Sequence, residues 1–396
     1  MGRGNGRQAG CRSMLWFVNA AHFLVHYMVL IFPTAVIGMS GEFGLGYGEM
    51  IPLATLTMLA FGLLSLPVGL LVNLVGAQRL LALYFLLIGL ATVSVAFADT
   101  YPSLAVTLLA LGAAAAMYHP VGLTLVASVS HRLGRDLAVN GVWGNLGSAL
   151  AALITAALTQ AFGWRLAFII PGAVAIGCGI VYLVAHGPGG VADKANPPPR
   201  AAETVPVARP YHALASVIAA ILAGGITYNI VTVALPKMVE EFLGPGQPLW
   251  AAGALTTLIF VCGAIMQLAA GRLIDRYTLT VLFVVLSALQ LCGLLMAWVF
   301  AGPLVLVGLA ITMAAIYGQV VVDDAIVARF VPGKRRGVAY GASYALGFAA
   351  SALAIPLMGY LHAQGAGFTP VLALTAGCGV VLLACAVGFS LAVNRW

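Results

Sequence analysis

The stretch IYGQVVVDDAIVARFVPGKRR, Ile316 to Arg336, begins inside a long apolar run and ends in the basic cluster Lys334, Arg335 and Arg336. Between the two stand Asp323 and Asp324, the acidic pair that falls within a run long enough to cross a bilayer. A carboxylate in hydrocarbon is costly unless it faces a cavity, finds a partner or takes up a proton, so intramembrane acids are functional candidates. The run itself reads as a spanning helix, and the remaining chain repeats that pattern.

Of the 396 residues 62% are hydrophobic and only 7% are charged, with a mean hydropathy of +1.06. A soluble domain carries about a quarter charged residues. The chain is therefore expected to be a multi-pass membrane protein with the lipid bilayer as its solvent and no soluble domain beyond its spans. A pI near 9.2 does not point to nucleic acid, because the basic residues are scattered singly through short loops. The tendency of cytoplasmic loops to carry Lys and Arg explains them. Cys178, Cys262, Cys292, Cys378 and Cys385 lie in apolar runs and Cys11 in the N-terminal tail, none with metal-ligand spacing. They read as small hydrophobes. The first apolar segment, 14–38, is too long for a signal-peptide core and is expected to be retained. No Walker-type phosphate loop occurs, which argues against ATP as the energy source.

A spanning helix needs about 20 mostly apolar residues. Twelve such runs can be placed, at 14–38, 49–74, 79–98, 103–129, 138–161 and 163–185, then at 212–235, 249–274, 277–300, 303–328, 337–361 and 369–393. Residues 187–211, rich in Pro, Gly and Ala, read as a cytoplasmic linker between six-helix bundles 1–186 and 212–396. With both termini in the cytoplasm, all 18 Lys and Arg except Arg165 and Lys237 fall on the inner side, and removing one span would scramble that partition. The expected class is thus an all-α integral membrane protein of the inner membrane, with twelve transmembrane helices in two six-helix repeats. The repeats echo one another. Gly69-Leu-Leu-Val-Asn73 is matched by Gly271-Arg-Leu-Ile-Asp275, and Gly141 and Gly147 by Gly341 and Gly347. That layout is the one used by transporters that rock two halves about a central site.

Over essentially its whole length the chain resembles the major facilitator superfamily. The likeness is carried by the loop after the second span, with Gly69, Leu71, Asn73, Gly76 and Arg79, where the family usually has Asp at the position of Asn73. The copy in the second half keeps Gly271, Leu273, Asp275 and Arg276, and Gly163-Trp164-Arg165 opens span six as is common in the family. Within the superfamily, His22-Phe23, Tyr118-His119-Pro120 and Gly144-Asn145-Leu146-Gly147-Ser148 resemble the fosmidomycin-resistance-like branch. That branch often has an Asn-Asp pair where Val25-His26 stands here. The resemblance implies alternating access, proton-coupled drug efflux, and a central cavity lined by spans one, four, seven and ten.

Those spans hold the polar residues. Asn19, His22 and His26 are spaced i, i+3, i+7 on one face of span one. Span four offers Tyr118 and His119, span seven Tyr228 and Asn229, and span ten Tyr317, Gln319, Asp323 and Asp324. Histidine changes charge near neutral pH. His22, His26 and His119 against Asp323 therefore form the expected proton-coupling set, with protons as the coupling ion and no cofactor. Asn19, Tyr118, Tyr228, Asn229, Tyr317 and Gln319 are the candidate substrate contacts. Asp324 with Arg132 and Arg135, and the loop residues Gly69, Asn73, Arg79, Asp275 and Arg276, are candidates for gating.

A competing expectation is a transition metal, or its chelate, held by His22 and His26 at i, i+4 and completed by Asp323. No Lys or Arg lies deep in a candidate cavity-lining span, which disfavours a strongly anionic substrate. A membrane scaffold or sensor would have no reason to keep so polar an interior, and no hydrolytic grouping stands apart from the His and Asp residues already assigned. The chain is expected to act as a monomer on a small-molecule substrate.

Overall fold

In hydrocarbon an apolar segment satisfies its own backbone only as a helix or within a closed barrel. Twelve segments of 19 to 34 residues take the first course. In chain order they are α1 Gly10–Phe43, α2 Tyr47–Val72, α3 Ala77–Val95, α4 Tyr101–Val129, α5 Arg135–Phe162 and α6 Trp164–His186. The second set is α7 Pro210–Leu243, α8 Leu249–Leu273, α9 Leu279–Val299, α10 Pro303–Phe330, α11 Ala345–Gly365 and α12 Thr369–Val393. The computed structural model describes residues 2–130, 133–187, 207–331, 339, 342, 343 and 345–393, without side chains at 2–9, 73, 133, 134 and 366. No strand occurs among the described residues.

The helices run further than hydropathy alone implies. The helix of α1 continues through Phe43, and α7 continues past Pro236 to Leu243, which brings Glu240 and Glu241 into its last turn. Pro67, Pro171, Pro236 and Pro356 all sit inside helices. Two interruptions matter. In α1 the chain tightens at Leu30, whose amide donates to the Tyr27 carbonyl, three residues before Pro33. In α4 the first segment ends at Ala115 and the second begins at Tyr118. Pro120 has no amide hydrogen to offer the Ala116 carbonyl four residues back. Ser65 on α2 supplies the donor instead, its Oγ 3.2 Å from that oxygen. The break therefore costs no orphaned carbonyl, and it sets Tyr118 and His119 in the first turn of a fresh helix.

The chain divides into two compact units. One comprises Met1–Gly44, Leu56–Pro199 and Pro248–Gly253, and the other Leu45–Thr55, Arg200–Gln247 and Ala254–Trp396. The first turns of α2 thus pack with the second unit, and the start of α8 packs with the first. In the first unit α1 packs on α5, and α3 on α4 and α6; in the second α7 packs on α12 and α11, and α9 on α10 and α12. Leu279, Phe283, Leu286, Val322, Ile326, Leu382 and Phe389 fill the seam among α9, α10 and α12.

Each unit carries a cluster of ion pairs at the ends of its helices. In the first, Arg165 Nη2 lies 2.6 Å from Glu42 Oε1 and 2.9 Å from Asp99 Oδ1, while Trp164 Nε1 donates to Glu42 Oε2 at 2.7 Å. In the second, Lys237 Nζ lies 2.5 Å from Glu240 Oε2 and 3.7 Å from Glu241 Oε1, and His362 Nε2 lies 2.7 Å from Glu241 Oε1. The two basic residues that break the charge partition, Arg165 and Lys237, are thus both neutralised by acids.

Candidate functional site

The break in α4 and the face of α1 together gather three histidines. His22, His26 and His119 each place a ring nitrogen so that all three atoms lie within 4.8 Å of one another. The ring centroids are 4.9 Å apart for His22 and His26, 5.5 Å for His22 and His119, and 5.6 Å for His26 and His119. His22 is buried, whereas His26 and His119 are only half-buried, so the cluster has one accessible side. Of the expected coupling set His22, His26, His119 and Asp323, the three histidines meet within the first unit; Asp323, which the metal reading also named, belongs to the second unit.

The positions of these rings are fixed by neighbours that can be named. His22 Nδ1 is 2.7 Å from the Asn140 carbonyl on α5. A carbonyl only accepts, so Nδ1 carries the hydrogen and Nε2 keeps its lone pair. Tyr118 stacks on the His22 ring with centroids 4.6 Å apart and planes 21° apart, and Phe61 stacks in the same way on His119 at 5.5 Å. A Cβ on Gly144 would come within 2.6 Å of His22 Nε2 and 2.7 Å of its Cε1. Only glycine leaves room for the ring there. One turn further along, a Cβ on Gly147 would meet the Phe23 carbonyl oxygen, so α5 crosses α1 backbone against backbone. The Gly144 to Ser148 motif is therefore, at both glycines, the packing surface that seats the histidines.

Asn140 is the residue that sequence reasoning passed over. It is 1% exposed, donates from Nδ2 to Asn19 Oδ1 at 2.9 Å, and accepts at Oδ1 from the Tyr118 hydroxyl at 3.0 Å. One amide thus ties α1, α4 and α5 together beside the rings. The available signal was an Asn one helical turn before Gly144, on the same face of α5. Asn19 and Tyr118, proposed as substrate contacts, spend these polar groups on Asn140.

In the second unit Asp323 is half-buried on α10 and accepts a hydrogen bond from Gln319 Nε2 at 3.2 Å, one turn earlier. Among the described residues no basic side chain pairs with Asp323. Gln319 is 6% exposed and its Oε1 has no hydrogen-bond partner among the described residues. Tyr317 is buried edge-on to Phe260, with centroids 6.3 Å apart, and Gly263 leaves space for its ring. Asn229 on α7 donates to the Gly225 carbonyl at 2.7 Å and to the Gly347 carbonyl on α11 at 3.0 Å, while its buried Oδ1 has no partner among the described residues. Tyr228 beside it is half-buried, as is Asp324 beside Asp323.

The gating candidates sit at helix ends. Gly69 is on α2, and the turn into α3 passes through Gly76 at φ +92°, a left-handed value that favours glycine. Arg79, Arg135, Asp275 and Arg276 are exposed. Asp136, next to Arg135, accepts from Ser130 Oγ at 2.6 Å and closes the turn between α4 and α5. Arg132, Gly341 and the side chain of Asn73 lie outside the described residues.

Comparison with solved structures finds a crystal structure of a bacterial homologue of the human lysosomal transporter Spinster, in an inward-facing and occupied conformation. The TM-score is 0.77 at 13% identity, over 97% of this chain and 98% of that one. At that identity the likeness establishes the fold. No curated protein matches the sequence. The family model for the Major Facilitator Superfamily matches residues 15–325, and the chain belongs to that superfamily of alternating-access secondary transporters.

Proposed function

We propose that this transporter moves a small neutral or cationic organic molecule outward across the cytoplasmic membrane, in exchange for protons carried by Asp323. The observation that carries the reading is the pair Asp323 and Gln319 on α10. An acid within a membrane span is expensive to keep charged, yet among the described residues this one has an amide for a neighbour rather than a cation. An amide suits both states of a carboxyl group. Its NH2 donates to the carboxylate, and its carbonyl accepts from the protonated acid. The unpartnered Oε1 of Gln319 is the acceptor the protonated form would use. A salt bridge would hold the carboxylate charged, whereas this pairing lets the proton come and go.

Three further features support the finer points. The absence of Lys and Arg from the middle of α1, α4, α7 and α10 favours cargo without strong negative charge. The partition of basic residues supports a cytoplasmic-membrane location with both termini inside. The likeness of Tyr118-His119-Pro120 and the Gly144 to Ser148 stretch to the fosmidomycin-resistance-like branch supports export. Asp324 and Arg135 are assigned to gating, with Tyr228, Tyr317 and Gln319 nearest the cargo.

The test is transport in proteoliposomes under an imposed pH gradient, with a panel of cationic and phosphonate drugs as cargo. Asp323→Asn is expected to abolish gradient-driven accumulation while retaining exchange of cargo down its own gradient. Uphill accumulation by Asp323→Asn at the wild-type rate would remove the proton from this site. Gln319→Leu is expected to weaken coupling, and Gln319→Glu to restore part of it.

A further inference from the structure

We propose that His22, His26 and His119 form a transition-metal site in the first unit, with three imidazole ligands and an open fourth position. The inference stands on the geometry of the cluster and not on the assignment of the proton to Asp323. Three features of the site carry it.

The donors converge. Zinc-nitrogen bonds of about 2.0–2.1 Å place tetrahedral ligands roughly 3.3 Å apart. The three nitrogens already lie within 4.8 Å of one another, so small rotations of the rings complete the set. The orientation is also built in. The Nδ1 of His22 is committed to the Asn140 carbonyl, the arrangement by which metal proteins hold an imidazole with its other nitrogen presented to the ion. Tyr118 and Phe61 stack on His22 and His119, which limits how far those rings turn. Finally, the cluster is accessible on one side, since His26 and His119 are only half-buried.

The composition of the set selects the ion. It holds nitrogen donors alone, with no carboxylate and no thiolate in the group. That excludes Mg2+ and Ca2+, which demand oxygen, and favours Zn2+, Co2+, Ni2+ or Cu2+. Three neutral imidazoles leave the charge of a divalent ion uncompensated. The open position therefore goes to hydroxide or to an anionic group of a bound molecule, as it does at catalytic three-histidine zinc sites.

The experiment uses the full chain, purified in detergent without a polyhistidine tag and titrated with Zn2+ or Co2+ alone. One ion per chain is expected, and Co2+ should show the intense visible absorption of a four-coordinate complex. His26→Ala and His119→Ala should each weaken binding by about 10–100-fold or more. His186→Ala, outside the cluster, and Asp323→Asn should bind as the wild type does. Retained binding in Asp323→Asn, alongside lost proton coupling, keeps the two readings independently testable. A wild-type protein that leaves Co2+ six-coordinate and weakly absorbing overturns the inference without recourse to any variant. Equal binding by a His22→Ala, His26→Ala, His119→Ala protein overturns it as well.

Discussion

At the scale of single residues, the glycines of α5 separate packing from chemistry. A glycine-to-alanine change in an ordinary helix interior gains about 0.5–1 kcal/mol. Gly141 meets nothing within 4 Å of a built Cβ, so Gly141→Ala should raise the melting temperature in detergent slightly. At Gly147 the same methyl collides with the Phe23 carbonyl, and neither backbone can give way without separating α1 from α5. Overpacking of that kind costs about 1–3 kcal/mol. The clash outweighs the propensity gain, so Gly147→Ala should lower the melting temperature, and an equal response at both positions would refute the crossing. Gly144→Ala is different again, because its methyl meets a movable ring rather than backbone. It should displace His22 and weaken Co2+ binding by about 10-fold or more while shifting stability less than Gly147→Ala. Two glycines three residues apart would then report on two separate properties.

Among elements, the first turn of α2 shows which kind of contact fastens it. A Cβ on Gly48 would lie 2.5 Å from the Gly359 carbonyl, and one on Gly359 would lie 2.6 Å from the Gly48 carbonyl and 2.9 Å from Pro52 Cγ. Backbone therefore rests on backbone where α2 meets α11. Beside this crossing His362 joins α11 to α7 through Glu241, and Tyr47 packs edge-on to His362 with centroids 5.1 Å apart. The two features share α11, the crossing joining it to α2 and the ion pair joining it to α7, and they differ in worth. Partly exposed ion pairs contribute about 0–1 kcal/mol, and Glu241→Gln keeps the side-chain shape, so its melting temperature should stay close to the wild type. Gly48→Ala forces the helices apart and should cost about 1–3 kcal/mol. If Glu241→Gln proved the more damaging of the two, the joint would be electrostatic rather than steric. The start of α8 repeats the device in the first unit, since a Cβ on Gly253 would lie 2.7 Å from the Ala152 carbonyl of α5.

For the molecule as a whole, what could be read from sequence follows the physical range of each signal. Hydropathy and loop charge are written along the chain, so twelve helices and their pairing into repeats were legible without coordinates. Helix ends were less so, because α7 continues through Pro236 into a polar turn that hydropathy marks as outside the membrane. His22 and His26 were legible as one face by their spacing. His119 was legible as a candidate partner on span four, but its approach to the pair was not, since it reaches them only through the break at Ala116 and Met117. Asn140 escaped notice because its role depends on the register of α5 against α1, fixed by two glycines more than a hundred residues from His22. Orientation in the membrane is the remaining whole-chain property that the charges specify, and it can be checked directly. The loop between α8 and α9 follows Arg272 and contains Arg276, whereas the loop between α9 and α10, at 300–302, carries no charge. The cytoplasmic leaflet retains basic loops. The former is therefore expected inside and the latter outside, with one helix between them. In a protein lacking the six native cysteines, Ala301→Cys should react with a membrane-impermeant maleimide in right-side-out vesicles. Tyr277→Cys, itself 56% exposed, should react only once the vesicles are opened. The opposite pattern would invert the whole topology, and with it the side from which Asp323 is protonated. Equal labelling of both cysteines before opening would mean that α9 does not cross at all.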